Sequence, residues 1–205
     1  MTSDRRLTRM ARVLDERLGH VCCALEAVYH RHNVSAILRT CDALGVHRVH
    51  LVAADWARVS KGPARGAERW LDLHHQPHTA AGVAAIRAAG YRLYVADLAD
   101  DAVPPEQIPL DRPVCLWFGA ELVGVSPEAR AAADGVVTVP MRGMAQSLNV
   151  SVAAAVTLRP VVEAARSLGP AAFLGEEERQ QTLAAWLERD LLLDAAIETR
   201  AATGR

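Results

Sequence analysis

Gln146, Ser147 and Asn149 stand at the start of a stretch that otherwise reads as a buried helix, directly behind the loop Pro140-Met141-Arg142-Gly143-Met144. One polar side chain is enough to cap the free N–H groups of a helix's first turn. Three polar residues in four positions supply more hydrogen-bonding capacity than a cap needs, so the loop is built to hold something. Ligands of α/β sheets lie beyond the carboxyl ends of strands, which directs attention to the loops after "YRLYVA", "VCLWFG" and "VVTVP". Two of these loops carry Gly119, Gly124 and Gly143. Glycine admits close backbone approach, so the loops could enclose a flat ligand through main-chain groups; tight turns are the alternative reading.

Other chemistries find little support. No G-x-G-x-x-G follows a strand, no G-x-x-x-x-G-K-[ST] occurs, and no G-x-S-x-G elbow frames a serine nucleophile, which argues against dinucleotide binding, triphosphate binding and serine hydrolysis. The eight histidines include His47 with His50 and His74 with His75 and His78. Alternation places His47 and His50 on opposite faces of a strand, and no cysteine or carboxylate at helical spacing completes a set of four ligands, so no metal is expected. The four cysteines, Cys22, Cys23, Cys41 and Cys115, sit in apolar segments without paired spacing and read as reduced core thiols.

The elements that position these loops alternate between strand and helix. "HVCCALEAV" reads as a first strand, and Asn33 reads as the cap of "VSAILRTCDALG", a helix that ends at Gly45. "RVHLVA" and "RWLDLHH" are strands, "TAAGVAAIRAAG" a helix and "YRLYVA" another strand. After the proline-rich "AVPPEQIPLDRP", the wholly apolar "VCLWFG" belongs in the sheet centre. "SPEARAAA" is a helix capped by Ser126 with Pro127 at its first position, "GVVTVP" a last strand, and residues 147–166 a closing helix. The pattern implies βα units, a parallel sheet and an α/β fold.

Two extensions flank this core, giving an organisation of residues 1–19, 20–166 and 167–205. The first sets Arg5, Arg6, Arg9, Arg12 and Arg17 among apolar residues at helical spacing, a basic arm. The last holds an amphipathic helix, "RQQTLAAWLERDLLLDAAIE". The chain's 205 residues are 51% apolar, which suits one α/β domain with short extensions. The net charge is −1, but residues 1–70 hold 12 Lys/Arg against 7 Asp/Glu and the rest hold 11 against 17. Such asymmetry suggests a basic face for an anionic partner, with ordinary solvated surfaces as the alternative. No apolar run reaches the roughly 18 residues of a membrane span, and the N-terminus lacks a signal-peptide core, so a cytoplasmic protein is expected.

Three separated stretches, "HNVSAILRTCDALGV", "LWFGAELVGVS" and "VPMRGMAQSLNVSVAAAV", closely resemble, in order and spacing, the three motifs of the SpoU–TrmH family of RNA ribose 2′-O-methyltransferases, within the SPOUT superfamily. The resemblance extends over roughly residues 20–166. It implies a Rossmann-like sheet whose C-terminal part is threaded into a trefoil knot, with S-adenosylmethionine bound in the knot. The positions matching the family's cofactor contacts are Ala96, Leu116, Gly119, Val139, Met141 and Leu148. Gly143 belongs to the same loop, and bulk there is expected to fill the cofactor's path.

The resemblance further implies that Arg39 acts on the ribose 2′-oxygen, with Asn33 helping to fix the site and Glu121, Ser147 and Asn149 ordering the guanidinium and the knot loops. A guanidinium stays protonated at ordinary pH, so Arg39 is expected to stabilise alkoxide character rather than to take the proton. The family pattern departs at His30 and Arg31, where a Lys-Pro usually stands, and in "VSKGPARGAERW", although Lys61, Arg65 and Arg69 there suit phosphate contacts. Family members that modify ribosomal RNA generally carry an additional N-terminal RNA-binding domain, whereas those acting on guanosine-18 of tRNA have short helical extensions. The expected partner is therefore tRNA, with wobble-nucleotide and ribosomal RNA enzymes as alternatives and a catalytically inactive RNA-binding relative as the non-enzyme reading. A homodimer is implied too, because the family builds its site from two subunits.

Overall fold

The computed structural model describes residues 4–53 and 66–203, with side chains as far as residue 192. Six strands, β1 (Val21–Glu26), β2 (Arg48–Val52), β3 (Asp72–Gln76), β4 (Arg92–Ala96), β5 (Val114–Phe118) and β6 (Gly135–Val137), form one sheet. Every pairing is parallel, in the order β3-β2-β1-β5-β4-β6. The helices are α1 (Asp4–Asp15), α2 (Arg31–Leu44), α3 (Thr79–Ala88), α4 (Pro127–Ala132), α5 (Val150–Arg166) and α6 (Glu176–Thr203). The α/β class and the central place of "VCLWFG" are thus as the sequence implies. Among the described residues no helix is long and apolar enough to cross a membrane.

The two-residue period of the strands divides the core into two layers. Val21, Cys23 and Leu25 of β1 and Val114, Leu116 and Phe118 of β5 face α2 and α5, meeting Val34, Ile37, Leu38, Leu158 and Val162. The intervening Cys22, Ala24, Cys115 and Trp117 face α3 and α4, meeting Ile86 and Ala129. A strand apolar at every position is what burial on both faces demands. All four cysteines are free and buried in these layers, as expected.

Local signals set most boundaries. α2 stops where Gly45 adopts φ 81°, and its Cα packs so close to the Glu16 carbonyl that an added Cβ would lie 2.6 Å from that oxygen. Ser126 caps α4 by accepting from the Ala129 N–H at 3.1 Å. The start of α2 differs from expectation: it begins at Arg31 behind His30, and Asn33 lies inside the first turn. Its backbone N–H is already satisfied by the His30 carbonyl at 2.9 Å, which leaves the side-chain amide free for another element. The closing helix starts at Val150 rather than residue 147, with Asn149 as its cap. The third strand is preceded by a short 3-10 turn, Ala67–Trp70, which takes Arg69 and Trp70 out of the strand.

The two extensions pack on each other. Met10 and Leu14 of α1 and Trp186 of α6 form a separate buried cluster, with Val13, Trp70, Leu183 and Leu187 around it. Arg6 pairs with Asp190 and Arg179 with Asp15 across the same contact.

Candidate functional site

The strands β4, β5 and β6 end side by side at Ala96, Phe118 and Val137, and the loops that follow them surround a cleft of about 330 Å³. Asp97 and Leu98 form one wall, Gly119 to Gly124 a second, and Thr138 to Asn149 a third, while Val150, Ala153 and Thr157 of α5 close the back. A cleft beyond the carboxyl ends of parallel strands is where an α/β sheet offers exposed main chain for binding. Val139, Met141 and Leu148 add apolar surface, and Ser147 and Gln146 add polar side chains. That mixture suits a flat heteroaromatic ring held edge-on by backbone groups.

The second wall is tightly made. Ala120 and Gly124 exchange both backbone hydrogen bonds, at 3.0 and 2.8 Å. Gly119 lies so close to the far side of this loop that an added Cβ would fall 2.1 Å from the Gly124 oxygen and 2.3 Å from the Val125 nitrogen. The glycine there is required by the loop's own closure.

At the rim of the cleft runs a chain of hydrogen-bonded polar groups. The Asn33 amide donates to Glu121 Oε1 at 2.7 Å, and its oxygen accepts from Asn149 Nδ2 at 3.2 Å. Asn149 Oδ1 accepts from the backbone N–H of Ser151 at 2.9 Å and from its hydroxyl at 2.6 Å. Asn149 therefore does two jobs: it caps α5 and links that helix to α2. This explains one of the three polar residues at the helix start, and the other two face the cleft.

Behind the second wall lies a carboxylate that sequence reading did not single out. Glu26, at the end of β1 and only 5% exposed, accepts from Thr79 Oγ1 at 2.5 Å, Trp117 Nε1 at 3.0 Å and the Ser126 N–H at 3.0 Å. Burial alone would raise its pKa, but these bonds, led by that from Ser126, hold it below the ordinary carboxylate value. Two of its donors flank the Gly119–Val125 loop in sequence, so Glu26 fixes both ends of that wall. A lone glutamate closing an apolar strand was the available signal.

Of the residues singled out from the sequence, Ala96, Gly119, Glu121, Val139, Met141, Ser147, Leu148 and Asn149 line the cleft together. Asn33 joins them through Glu121 and Asn149. Leu116 does not: it lies two residues deeper in β5, fully buried against α2 and α5. Gly143 is exposed outside the lining, and an added Cβ there meets nothing within 4 Å. Arg39 is exposed on α2 and is not part of the lining. Asp97, Leu98, Thr138 and the α5 face were missed; each is simply the chain next to a strand end.

Among the basic residues, Arg5, Arg9, Arg12 and Arg69 are exposed, and Arg6 is tied to Asp190. Arg17 requires correction. It is fully buried, paired with Asp42, donating to the Trp70 carbonyl at 3.0 Å and stacked over the Trp186 ring at 5.6 Å. It cannot meet a phosphate. Its helical spacing from Met10 and Leu14, which carries the inward face of α1 just past the helix end at Asp15, was the overlooked signal. Lys61 and Arg65 lie outside the described residues.

His50 and His74 stack, with ring centroids 5.1 Å apart, and among the described residues His47, Asp72 and Glu178 bring ligand atoms within 4.8 Å of one another. Arg48 already engages both carboxylates, from Nε to Asp72 at 3.2 Å and from its terminal nitrogen to Glu178 at 2.5 Å. Its charge opposes a second cation there. Burial, and then the Arg17 charge, push the His47 pKa down to about 4.

The strand order, the cleft at the carboxyl ends of β4, β5 and β6, and the main chain that walls it define a cofactor-binding α/β protein of the doubly wound kind. The sequence model of the SpoU rRNA Methylase family matches residues 20–159, and the chain belongs to that family. It is 38% identical over 193 residues to the tRNA (guanosine(18)-2′-O)-methyltransferase of Thermus thermophilus, spanning 91% of this chain and 98% of that protein. Among solved structures, the TrmH/SpoU tRNA modifying enzyme of A. aeolicus superposes with a TM-score of 0.81 at 31% identity, over 91% of this chain and 97% of that one. The SpoU methyltransferase AviRb of Streptomyces viridochromogenes, solved with AdoMet, superposes with a TM-score of 0.61 at 25% identity, over 76% of this chain and 62% of that one.

Proposed function

We propose that this protein transfers a methyl group from S-adenosylmethionine to a ribose 2′-oxygen of tRNA, at guanosine 18 of the D-loop. The observation that carries this is the backbone-walled cleft with Glu121, Asn33 and Asn149 chained along its rim. It occurs in a chain similar over nearly its whole length to enzymes of that name. S-adenosylmethionine supplies a methyl on a sulfonium sulfur, which leaves as a neutral thioether when the 2′-oxygen takes the methyl. Because that leaving group is already activated, the displacement needs no metal.

The protein's residues hold and orient. Main chain at Ala96, Gly119, Val139 and Met141, with Leu148, grips the adenine side of the cofactor. Ser147 and Asn149 order the third wall. Arg39, exposed on α2, meets the ribose and a neighbouring phosphate as the RNA docks and stabilises the developing alkoxide, while that phosphate or solvent receives the proton. Glu121 is held by Asn33 with its second oxygen available to a guanidinium of this or a second subunit.

The segment from Thr138 to Asn149 and helix α5 form the threaded part of a trefoil knot, and a second copy completes the site. Support for the dimer comes from Val152 and Val156, 46% and 43% exposed one turn apart on α5, and from Leu122 and Val123 on the cleft loop, 95% and 81% exposed. Sedimentation of an active monomer at assay concentration would exclude it. The exposed Arg5, Arg9, Arg12 and Arg69 contact RNA phosphates, and the reaction takes place in the cytoplasm.

The test is transfer of labelled methyl from S-adenosylmethionine into an unmodified tRNA transcript, followed by nucleoside mapping. A 2′-O-methylguanosine in the D-loop is expected. Methyl found on a base would end the mechanism, and methyl on the wobble ribose or on ribosomal RNA alone would move the substrate.

A further inference from the structure

A second cleft, about 490 Å³, opens between α1 and α6. Its floor is apolar, made by Met10, Val13 and Trp186, and Trp70 forms one side. The Trp70 ring is held by an edge-on contact with Trp186, centroids 5.2 Å apart at 81°. The carboxylate in the lining, Asp42, is matched by Arg17, and Arg6 is matched by Asp190. Arg5 and Arg9, both exposed in the lining, have no ion pair or hydrogen bond among the described residues. The cleft therefore combines an anchored aromatic ring, an apolar floor and two free guanidinium groups.

We infer that this cleft receives one nucleotide of the bound RNA, its base against Trp70 and its phosphates on Arg5 and Arg9. This rests on the reading of RNA as substrate. A simple anion would be served by the arginines and would gain nothing from the floor, whereas a nucleotide has a π-face and a charge and uses both. Stacking is indifferent to base identity, so the contact anchors RNA without reading its sequence.

Its position gives it a separate task from methyl transfer. The backbone of Asp72, two residues after Trp70, bonds His47 just ahead of β2, so this cleft lies by the amino ends of β2 and β3. The cofactor cleft lies by the carboxyl ends of β4, β5 and β6. A strand of five residues spans about 16 Å, so no single nucleotide reaches both, and the RNA is gripped at two points.

The test measures binding of an unmodified tRNA transcript at several salt concentrations, with S-adenosylmethionine affinity as the control for folding. The double variant Arg5→Ala/Arg9→Ala alters only exposed side chains. It should lower tRNA affinity and reduce the slope of log affinity against log salt by about two. Trp70→Leu should weaken tRNA binding about five-fold or more without changing that slope, whereas Trp70→Phe, which keeps a ring, should stay close to wild type. Unchanged tRNA affinity and salt slope in the double arginine variant would overturn the proposal. So would wild-type tRNA affinity in Trp70→Leu with cofactor affinity intact. Should Trp70→Leu lose cofactor binding as well, the arginine pair alone decides. If these variants behave as expected while the wild type transfers no methyl to tRNA, the catalytic reading fails and this cleft stands.

Discussion

Replacing Gly119 by alanine adds one carbon to a place with no room. That carbon would sit 2.1 Å from the Gly124 oxygen, 2.2 Å from its carbonyl carbon and 2.3 Å from the Val125 nitrogen, against ordinary contacts of roughly 3.5–4 Å. All three atoms are backbone, so no side chain can swing away. Retreat of the 120–124 segment by an ångström or more breaks its two closing hydrogen bonds, each worth about 0.5–1.5 kcal/mol, on top of about 1–3 kcal/mol of overpacking. If even about 2 kcal/mol of this falls on the wall's binding shape, S-adenosylmethionine affinity drops roughly 30-fold. Titration calorimetry with S-adenosylmethionine and with its demethylated product measures it directly. Gly143→Ala is the matched control: its new carbon meets nothing within 4 Å, and affinity should stay within about two-fold. Wild-type affinity in Gly119→Ala, or an equal loss in Gly143→Ala, would refute the reasoning.

Three further outcomes are expected. Arg39→Lys keeps the charge but loses the planar fork, and in single-turnover methylation it should fail almost as badly as Arg39→Ala, by about 10²–10³ in rate, with cofactor affinity retained; near-normal turnover in Arg39→Ala would remove the residue from the mechanism. Asn33→Ala cuts the rim chain at its middle and leaves Glu121 and Asn149 unlinked, so methyl transfer should slow while the helices stay folded by circular dichroism; unaltered transfer would show the chain to be dispensable. Stability should fall with acid, since burial pushes both His47 and His50 down to about 4. Unfolded, these histidines take up protons near pH 6.5, so between about 6.5 and 4 the unfolded state binds more protons and gains, by at most on the order of 3 kcal/mol per histidine. Urea midpoints flat from pH 7 to 4.5 would contradict this.

The sheet was legible because its information is local. Short apolar runs of strand length marked β1, β2, β4 and β5, and Gly45, Ser126 and Pro127 marked helix ends with residues whose backbone chemistry permits little else. Asn33 was misread as a cap because a cap is also a local signal, and nothing nearby in the chain reveals Glu121, 88 positions on, as the competing partner of its amide. The cleft was legible as three loops after three strands, but its depth was not. Leu116 and Gly119 look alike as residues of one motif, and only the length of β5 decides that one is core and the other wall. Arg17 shows the same limit from the other side. Arginines in the arm look equivalent until Asp42 and the Trp70 carbonyl, far along the chain, claim one of them.

The packing of α1 on α6 bears on how the chain is made. Met10 and Leu14 leave the ribosome long before Trp186, the side chain that buries them. Until α6 emerges, α1 is an apolar-striped helix without its partner, while the sheet behind it can already assemble from β1 to β6. Closing this contact joins residues 10 and 14 to residue 186, a long-range pairing that is slow to form on loop-closure grounds. In hydrogen exchange α1 and α6 should therefore open together as one unit, less protected than β1 and β5.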